Sequence, residues 1–243
     1  MEWSDDAYVL SARAYGETGA IVELLTETRG RFAAHVAGAA SRRMKPFLQP
    51  GARVVAQYRA RTSANLGSAQ LEPVGEGPAA LFDDPLALTG LAAAAAVAAG
   101  ALPEREPHPG AFLAFEALSS AFALPDVWPA VYVRFEAGLL DELGFGLDLA
   151  RCAATGGTED LVYVSPRTGR AVSRAAGEAY RDKLLKLPPF LLGAQGGLGE
   201  GDVGRGLELT GHFLALNVFG PLNRPLPPAR VWLIERLAAA GRL

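Results

Sequence analysis

Residues 52–62 read ARVVAQYRART and residues 31–38 read RFAAHVAG, and these two stretches decide the fold. In the first, Val54, Ala56, Tyr58 and Ala60 alternate with Arg53, Gln57, Arg59 and Arg61. In the second, Phe32, Ala34 and Val36 alternate with Arg31, Ala33 and His35. Successive side chains on a strand point to opposite faces, so a period of two marks a strand with one buried side. Working outward, residues 7–14 form a short apolar-rich run. Residues 19–27 are rich in Ile, Val, Leu and Thr, and residues 68–74 supply a fifth strand. Turn residues separate the runs: Thr28-Arg29-Gly30, Gly51 and Asn65-Leu66-Gly67. Five short strands within the first 78 residues predict a small closed barrel such as the OB fold, with an SH3-like barrel as the competing shape.

From about residue 82 the texture becomes helical. Asp84-Pro85 pairs an N-cap with proline at the first helical position, and that helix runs through an alanine-rich stretch to Gly100. A second helix carries Phe112, Phe115, Leu118 and Phe122 near one face. A third places Trp128, Tyr132, Phe135, Leu139 and Leu143 on one stripe and ends at Gly144. Asp202 is expected to cap a fourth helix reaching Phe219, and Pro227-Pro228 opens a fifth that ends at Gly241. Residues 145–201 interrupt the helices. Within them, residues 161–164 and 170–173 flank Pro166-Arg167-Thr168-Gly169 as a small hairpin, and the glycine-rich residues 193–206 read as a flexible connector. The expected class is α+β: a barrel domain over residues 1–80, then a helical domain over residues 81–243 with an insert at about 145–201.

The 243 residues carry a formal net charge of −3, which hides an asymmetry. Residues 28–71 contain no Asp or Glu but hold Arg29, Arg31, Arg42, Arg43, Lys45, Arg53, Arg59 and Arg61. A mildly acidic total is compatible with one basic surface on an acidic body. The alternation places Arg53, Arg59 and Arg61 on the outer face of one strand and Arg31 with His35 on its neighbour. Arg42, Arg43 and Lys45 fall in a loop-like segment, residues 39–50. Arginine forks hold phosphate oxygens bidentately, and no acid in the window competes for them. A charge run is more often a solvated face; the acid-free length and the barrel reading favour phosphate binding. Phe32 and Tyr58 share parity with core residues, which leaves Phe47 in the loop as the aromatic able to stack on a base.

Other chemistry is poorly represented. Gly199-Glu200-Gly201-Asp202-Val203-Gly204 matches G-x-G-x-x-G, but no βαβ strand precedes it, as a dinucleotide site requires. There is no Walker loop, H-E-x-x-H helix or G-x-S-x-G elbow. His35, His108 and His212 fall in separate segments. The pairs Asp5-Asp6, Asp83-Asp84 and Asp141-Glu142 read as caps or solvated ends, because adjacent residues do not face one substrate. No nucleophile–base constellation assembles, so an enzyme is not expected. One cysteine, Cys152, excludes an internal disulfide and fits a reducing cytosol. The acidic start, Met1 to Asp6, does not read as a signal peptide. Residues 85–103 are uncharged but mostly alanine, which favours a buried helix over a membrane span.

With these pieces in order, the chain resembles the RecO family of recombination mediator proteins of bacterial DNA repair. The likeness lies in Trp3 to Leu10, Tyr15-Gly16-Glu17 leading into residues 21–26, and Leu48-Gln49-Pro50-Gly51. It continues in Leu147-Asp148-Leu149 before Cys152, in Tyr163-Val164-Ser165-Pro166-Arg167-Thr168-Gly169-Arg170-Ala171-Val172, and in residues 184–191. The resemblance implies an N-terminal OB fold, a helical second half, and binding to single- and double-stranded DNA. It further implies annealing of strands coated with single-stranded DNA-binding protein (whose acidic C-terminal tail would suit a basic face), and loading of RecA together with RecR. It places the protein in the cytoplasm, at the nucleoid during repair. A protein adaptor and an RNA-binding barrel are the other readings. Some family members hold zinc with four cysteines in the helical half. Here only Cys152 stands in that region, and no zinc or other cofactor is expected.

Overall fold

A computed structural model describes residues 1–62, 65–75, 77–193 and 197–243. The chain divides into two compact units, Met1–Phe122 and Ala123–Leu243.

In the first unit, strands β1 (Glu2–Tyr15), β2 (Gly19–Thr26), β3 (Gly30–Val36), β4 (Arg53–Arg59) and β5 (Gly67–Pro73) close into a barrel of order β1-β2-β3-β5-β4. β1 pairs antiparallel with both β2 and β4, and β3 meets β5 in a short parallel contact at Ala34–Gly67 and His35–Ser68. This is the OB arrangement anticipated from the alternation. The inward residues are those that parity selected: Phe32, Ala34 and Val36 on β3, and Val54, Ala56 and Tyr58 on β4. Trp3 stacks on Tyr58 at a centroid distance of 4.7 Å and meets Phe32 edge-on at 5.1 Å. The Tyr58 hydroxyl accepts the Gly67 N–H at 3.1 Å. A Cβ at Gly67 would lie 2.3 Å from Cζ of that ring, so glycine is required there.

β1 begins five residues earlier than its apolar run suggested, because Trp3 and Asp5 already point inward beside Ala7. Asp5 is not a solvated end: its Oδ2 accepts the Thr28 N–H at 3.0 Å and the Thr28 hydroxyl at 2.7 Å, pinning the β2–β3 turn. β1 changes register between Val9 and Ser11. There Val9 donates to Ala52 O and accepts from Gly51 N, a bulge-like break beyond which β1 pairs with β2 and no longer with β4. The last five residues of β1 after it are exposed.

Helices α1 (Pro85–Ala101) and α2 (Pro109–Ala121) belong to this same unit. Asp84 caps α1, its Oδ1 accepting from Leu86 N and Ala87 N. Phe112 and Phe115 of α2 pack against Tyr8 at 5.4 and 5.0 Å; each buried phenylalanine contributes about 1.5–3 kcal/mol. The change from strands to helices near residue 80 is therefore a change of texture, while compactness divides the chain after α2. No helix among the described residues is long and apolar enough to cross a membrane.

The second unit contains α3 (Trp128–Glu142), the short α4 (Arg174–Gly177), α5 (Asp202–Phe213) and α6 (Pro228–Ala239). The hairpin is present as β6 (Leu161–Val164) and β7 (Ala171–Ser173). A third strand not expected from sequence, β8 (Leu185–Lys186), pairs on the other side of β6, giving the order β7-β6-β8. Two residues are too few to show a period. The fourth helix of the sequence reading is α to Phe213 and continues as a π turn over Leu214–Phe219. Asp202 does not cap it. Gly201, at φ +76°, is the cap residue, and Asp202 turns back to accept from Gly199 N at 2.7 Å while pairing with Arg205 at 2.7 Å. The connector reading of residues 193–206 includes residues 194–196, which lie outside the described residues.

The core of the second unit holds a buried ionic cluster that no sequence pattern marked. Glu136 of α3 is fully buried. Arg230 of α6 donates to both its carboxylate oxygens, at 2.7 and 2.9 Å. Thr210 of α5 donates to the same carboxylate at 2.5 Å, and Arg230 also reaches Leu207 O at 2.7 Å. Burial alone would lower the Arg230 pKa; the adjacent Glu136 carboxylate outweighs it and holds the guanidinium charged. Three helices are thus tied at one point.

Candidate nucleic-acid interface

The basic window is free of acids in sequence but not in space. Arg31 lies on β3 opposite Leu25, within reach of Glu23 at 3.4 Å, and its Nε donates to Leu102 O at 2.9 Å. Its own carbonyl accepts Arg105 N at 2.7 Å. Arg31 therefore ties residues 102–105 to the barrel. Arg53, on β4, reaches Glu116 of α2 at 2.9 Å and Asp6 of β1 at 3.7 Å. Arg59 pairs with Glu2 at 2.7 Å, because Glu2 and Arg59 are register partners in β1 and β4. The expectation that no carboxylate competes for these arginines is corrected by the topology, which brings acids from β1, β2 and α2 beside them.

The remaining cations are placed differently. Arg42, Arg43, Lys45 and Arg61 are exposed and form no ion pair among the described residues. Arg29 is exposed in the β2–β3 turn with its guanidinium 5.5 Å from the Trp3 ring. The segment after β3 is a series of turns ending in a 3₁₀ helix, Lys45–Leu48, whose Leu48 is buried and anchors it to the barrel core. Phe47 lies in that helix and is half-buried. The anchored segment presents Arg42, Arg43 and Lys45 together on the outside. Mutual repulsion of unpaired cations is relieved when an anion binds.

Attention to the acid-free window passed over Arg13. This exposed residue of β1 lines, with Lys45, a cleft of about 480 Å³ beside the residue 39–49 segment. The alternation along residues 7–14 could have pointed to it. Outside the barrel, His212 is half-buried with Nε2 2.9 Å from Pro166 O, a packing role. Cys152 is buried, and its sulfur lies 3.3 Å from Ser173 N and 3.4 Å from Ser173 Oγ. Burial would raise this thiol, but hydrogen bonds from Ser173 and Thr155 bring its pKa down to about 6. Among the described residues, no three His, Cys, Asp or Glu side chains gather as metal ligands.

A closed OB-type barrel carrying an anchored, unpaired basic segment, followed by a helical unit, defines the class: a barrel-and-helix protein. Residues 1–75 match the family profile described as Recombination protein O N terminal, and residues 83–225 match Recombination protein O C terminal. The DNA repair protein RecO of Phenylobacterium zucineum (strain HLK1) is 77% identical over 243 residues, with both chains covered in full. That of Caulobacter vibrioides (strain NA1000 / CB15N) is 74% identical over 243 residues, again covering both. That of Rhodospirillum centenum (strain ATCC 51521 / SW) is 52% identical over 242 residues, 99% of this chain and 96% of the relative. The chain belongs to the RecO family of DNA repair proteins.

Proposed function

We propose that this chain is a non-enzymatic recombination mediator of the cytoplasm and nucleoid. It binds single- and double-stranded DNA through the basic segment of its barrel and anneals complementary strands coated with single-stranded DNA-binding protein. With RecR, it helps load RecA. The observation that carries the reading is the unpaired set Arg42, Arg43 and Lys45 on a segment anchored by Leu48. Backbone phosphates suit such a set, which supplies affinity without base readout. Strand annealing needs that kind of grip, since both complementary sequences must be held alike. Family membership supports the repair context, and an acidic tail on the single-stranded DNA-binding protein would find the same cations. A strand-annealing assay with and without that protein tests the proposal. Acceleration of annealing by the chain is expected in both conditions, and no acceleration in either would overturn it.

A further inference from the structure

We infer that Tyr15, held by His35 beside Arg13, is a base-stacking platform for single-stranded nucleic acid. This inference rests on the DNA-binding reading above and adds a residue outside the basic window.

Tyr15 is the last residue of β1 and is 60% exposed, unlike the aromatic residues of the barrel core. It pairs with Gly19 across the turn at residues 16–18, and its ring meets His35 edge-on, at 5.8 Å and an interplanar angle of 72°. His35 is held in turn, because a Cβ at Gly19 would lie 2.4 Å from its Nε2; the imidazole fills the space a side chain would take. The tyrosine ring is thus held by one neighbour while most of it stays in solvent. Stacking a base on it requires little further loss of side-chain freedom.

The charge needed for the attached phosphates lies alongside. Arg13 is two residues earlier on the same face of β1. It is exposed and forms no ion pair among the described residues. Strand register runs from Arg13 through Ile21 and His35 to Ser68 and Arg59, one residue per strand around the barrel. Four steps of about 4.8 Å make this row about 19 Å long. Lys45 lines the same cleft as Arg13. Glu17, at the hairpin turn, is the one acid in residues 11–22. An exposed aromatic ring next to unpaired cations is the two-part chemistry of single-strand binding, in which each stacked base is recognised by its ring and each phosphate by charge. A duplex keeps its bases stacked on one another and offers the tyrosine nothing.

The experiment compares the full chain with Tyr15→Ala and Tyr15→Trp for binding to a labelled thymidine single strand and a labelled duplex. Tyr15→Ala is expected to weaken single-strand binding about tenfold, the loss of one stacked base, with duplex binding changed less than twofold. Tyr15→Trp is expected to retain single-strand affinity. Photo-crosslinking of a 5-iodouracil strand to the unaltered chain should label the tryptic peptide of residues 14–29. Single-strand affinity within twofold in Tyr15→Ala, or equal losses for strand and duplex, would overturn the inference while leaving the DNA-binding reading intact. No binding of either DNA by the unaltered chain would overturn both.

Discussion

Arg53 sends its Nη1 to within 2.9 Å of Glu116 Oε1, joining strand β4 to helix α2. Its guanidinium also lies 5.9 Å from the Tyr8 ring, which itself packs on Phe112 and Phe115. An arginine that sequence alone assigns to DNA is here part of the seam between barrel and helix. Both side chains are about one-third exposed, so solvent screens the pair and its worth is at most about 1 kcal/mol. Arg53→Ala is expected to lower the melting temperature by about 2–4 °C and to change DNA affinity less than any substitution at residues 42, 43 or 45. Thermal melts paired with binding titrations check this; a large affinity loss at unchanged stability would contradict it.

The unpaired cations bound the salt dependence. In the barrel unit Arg13, Arg29, Arg42, Arg43, Lys45 and Arg61 are exposed without ion pairs among the described residues. If all six meet single-strand phosphates, the log–log slope of affinity against salt is about −4. All eight cations of the window would give about −6. Titrations between 50 and 200 mM salt, roughly the range over which such binding collapses, separate the two values.

The buried pair Glu136–Arg230 makes a prediction of opposite kind. Removing one partner strands a charge in the core, so Glu136→Ala or Arg230→Ala alone is expected to cost about 3–5 kcal/mol. Replacing both with apolar residues of similar volume is expected to recover most of that loss. Urea denaturation of the two single variants and the double variant measures the difference. Additive losses would show that the charges are not coupled.

Cys152 gives a pH signature. Its folded pKa of about 6 lies below the ordinary thiol value of 9.0. The thiolate's contribution to stability is therefore full above about pH 9, declines toward pH 6, and is lost as pH falls through the folded value. Stability should rise with pH across that window, and Cys152→Ala should flatten the rise. At 1% exposure the sulfur should still react slowly with iodoacetamide in the folded chain. A thermal-stability series from pH 5 to 9, roughly spanning both values, tests the sign.

The parts of this fold that repeat with a period were legible from residues alone. Phe32, Ala34 and Val36 alternate on β3, and Trp128, Tyr132 and Phe135 recur on α3; each pattern chose the buried face correctly. What the sequence could not give were partners distant in the chain. The Glu2–Arg59 pair depends on β1 closing the barrel against β4, and Glu136 meets Arg230 only after α3 and α6 pack. Strand β8 was too short to show alternation. The same blindness affected the candidate interface. Counting acids along the chain overstated the free charge at Arg31, Arg53 and Arg59, and it missed Arg13 and Tyr15, which lie outside the acid-free residues 28–71.

The most direct test sets two triple charge reversals against each other. One carries Arg42→Glu, Arg43→Glu and Lys45→Glu; the other carries Arg31→Glu, Arg53→Glu and Arg59→Glu. Salt-dependent binding of both single strand and duplex is measured for each variant, with folding monitored in parallel. The first triple should remain folded, lose at least about tenfold in affinity for every DNA sequence, and lower the single-strand salt slope by about 2. Its affinity remaining equal to that of the unaltered chain would contradict the account.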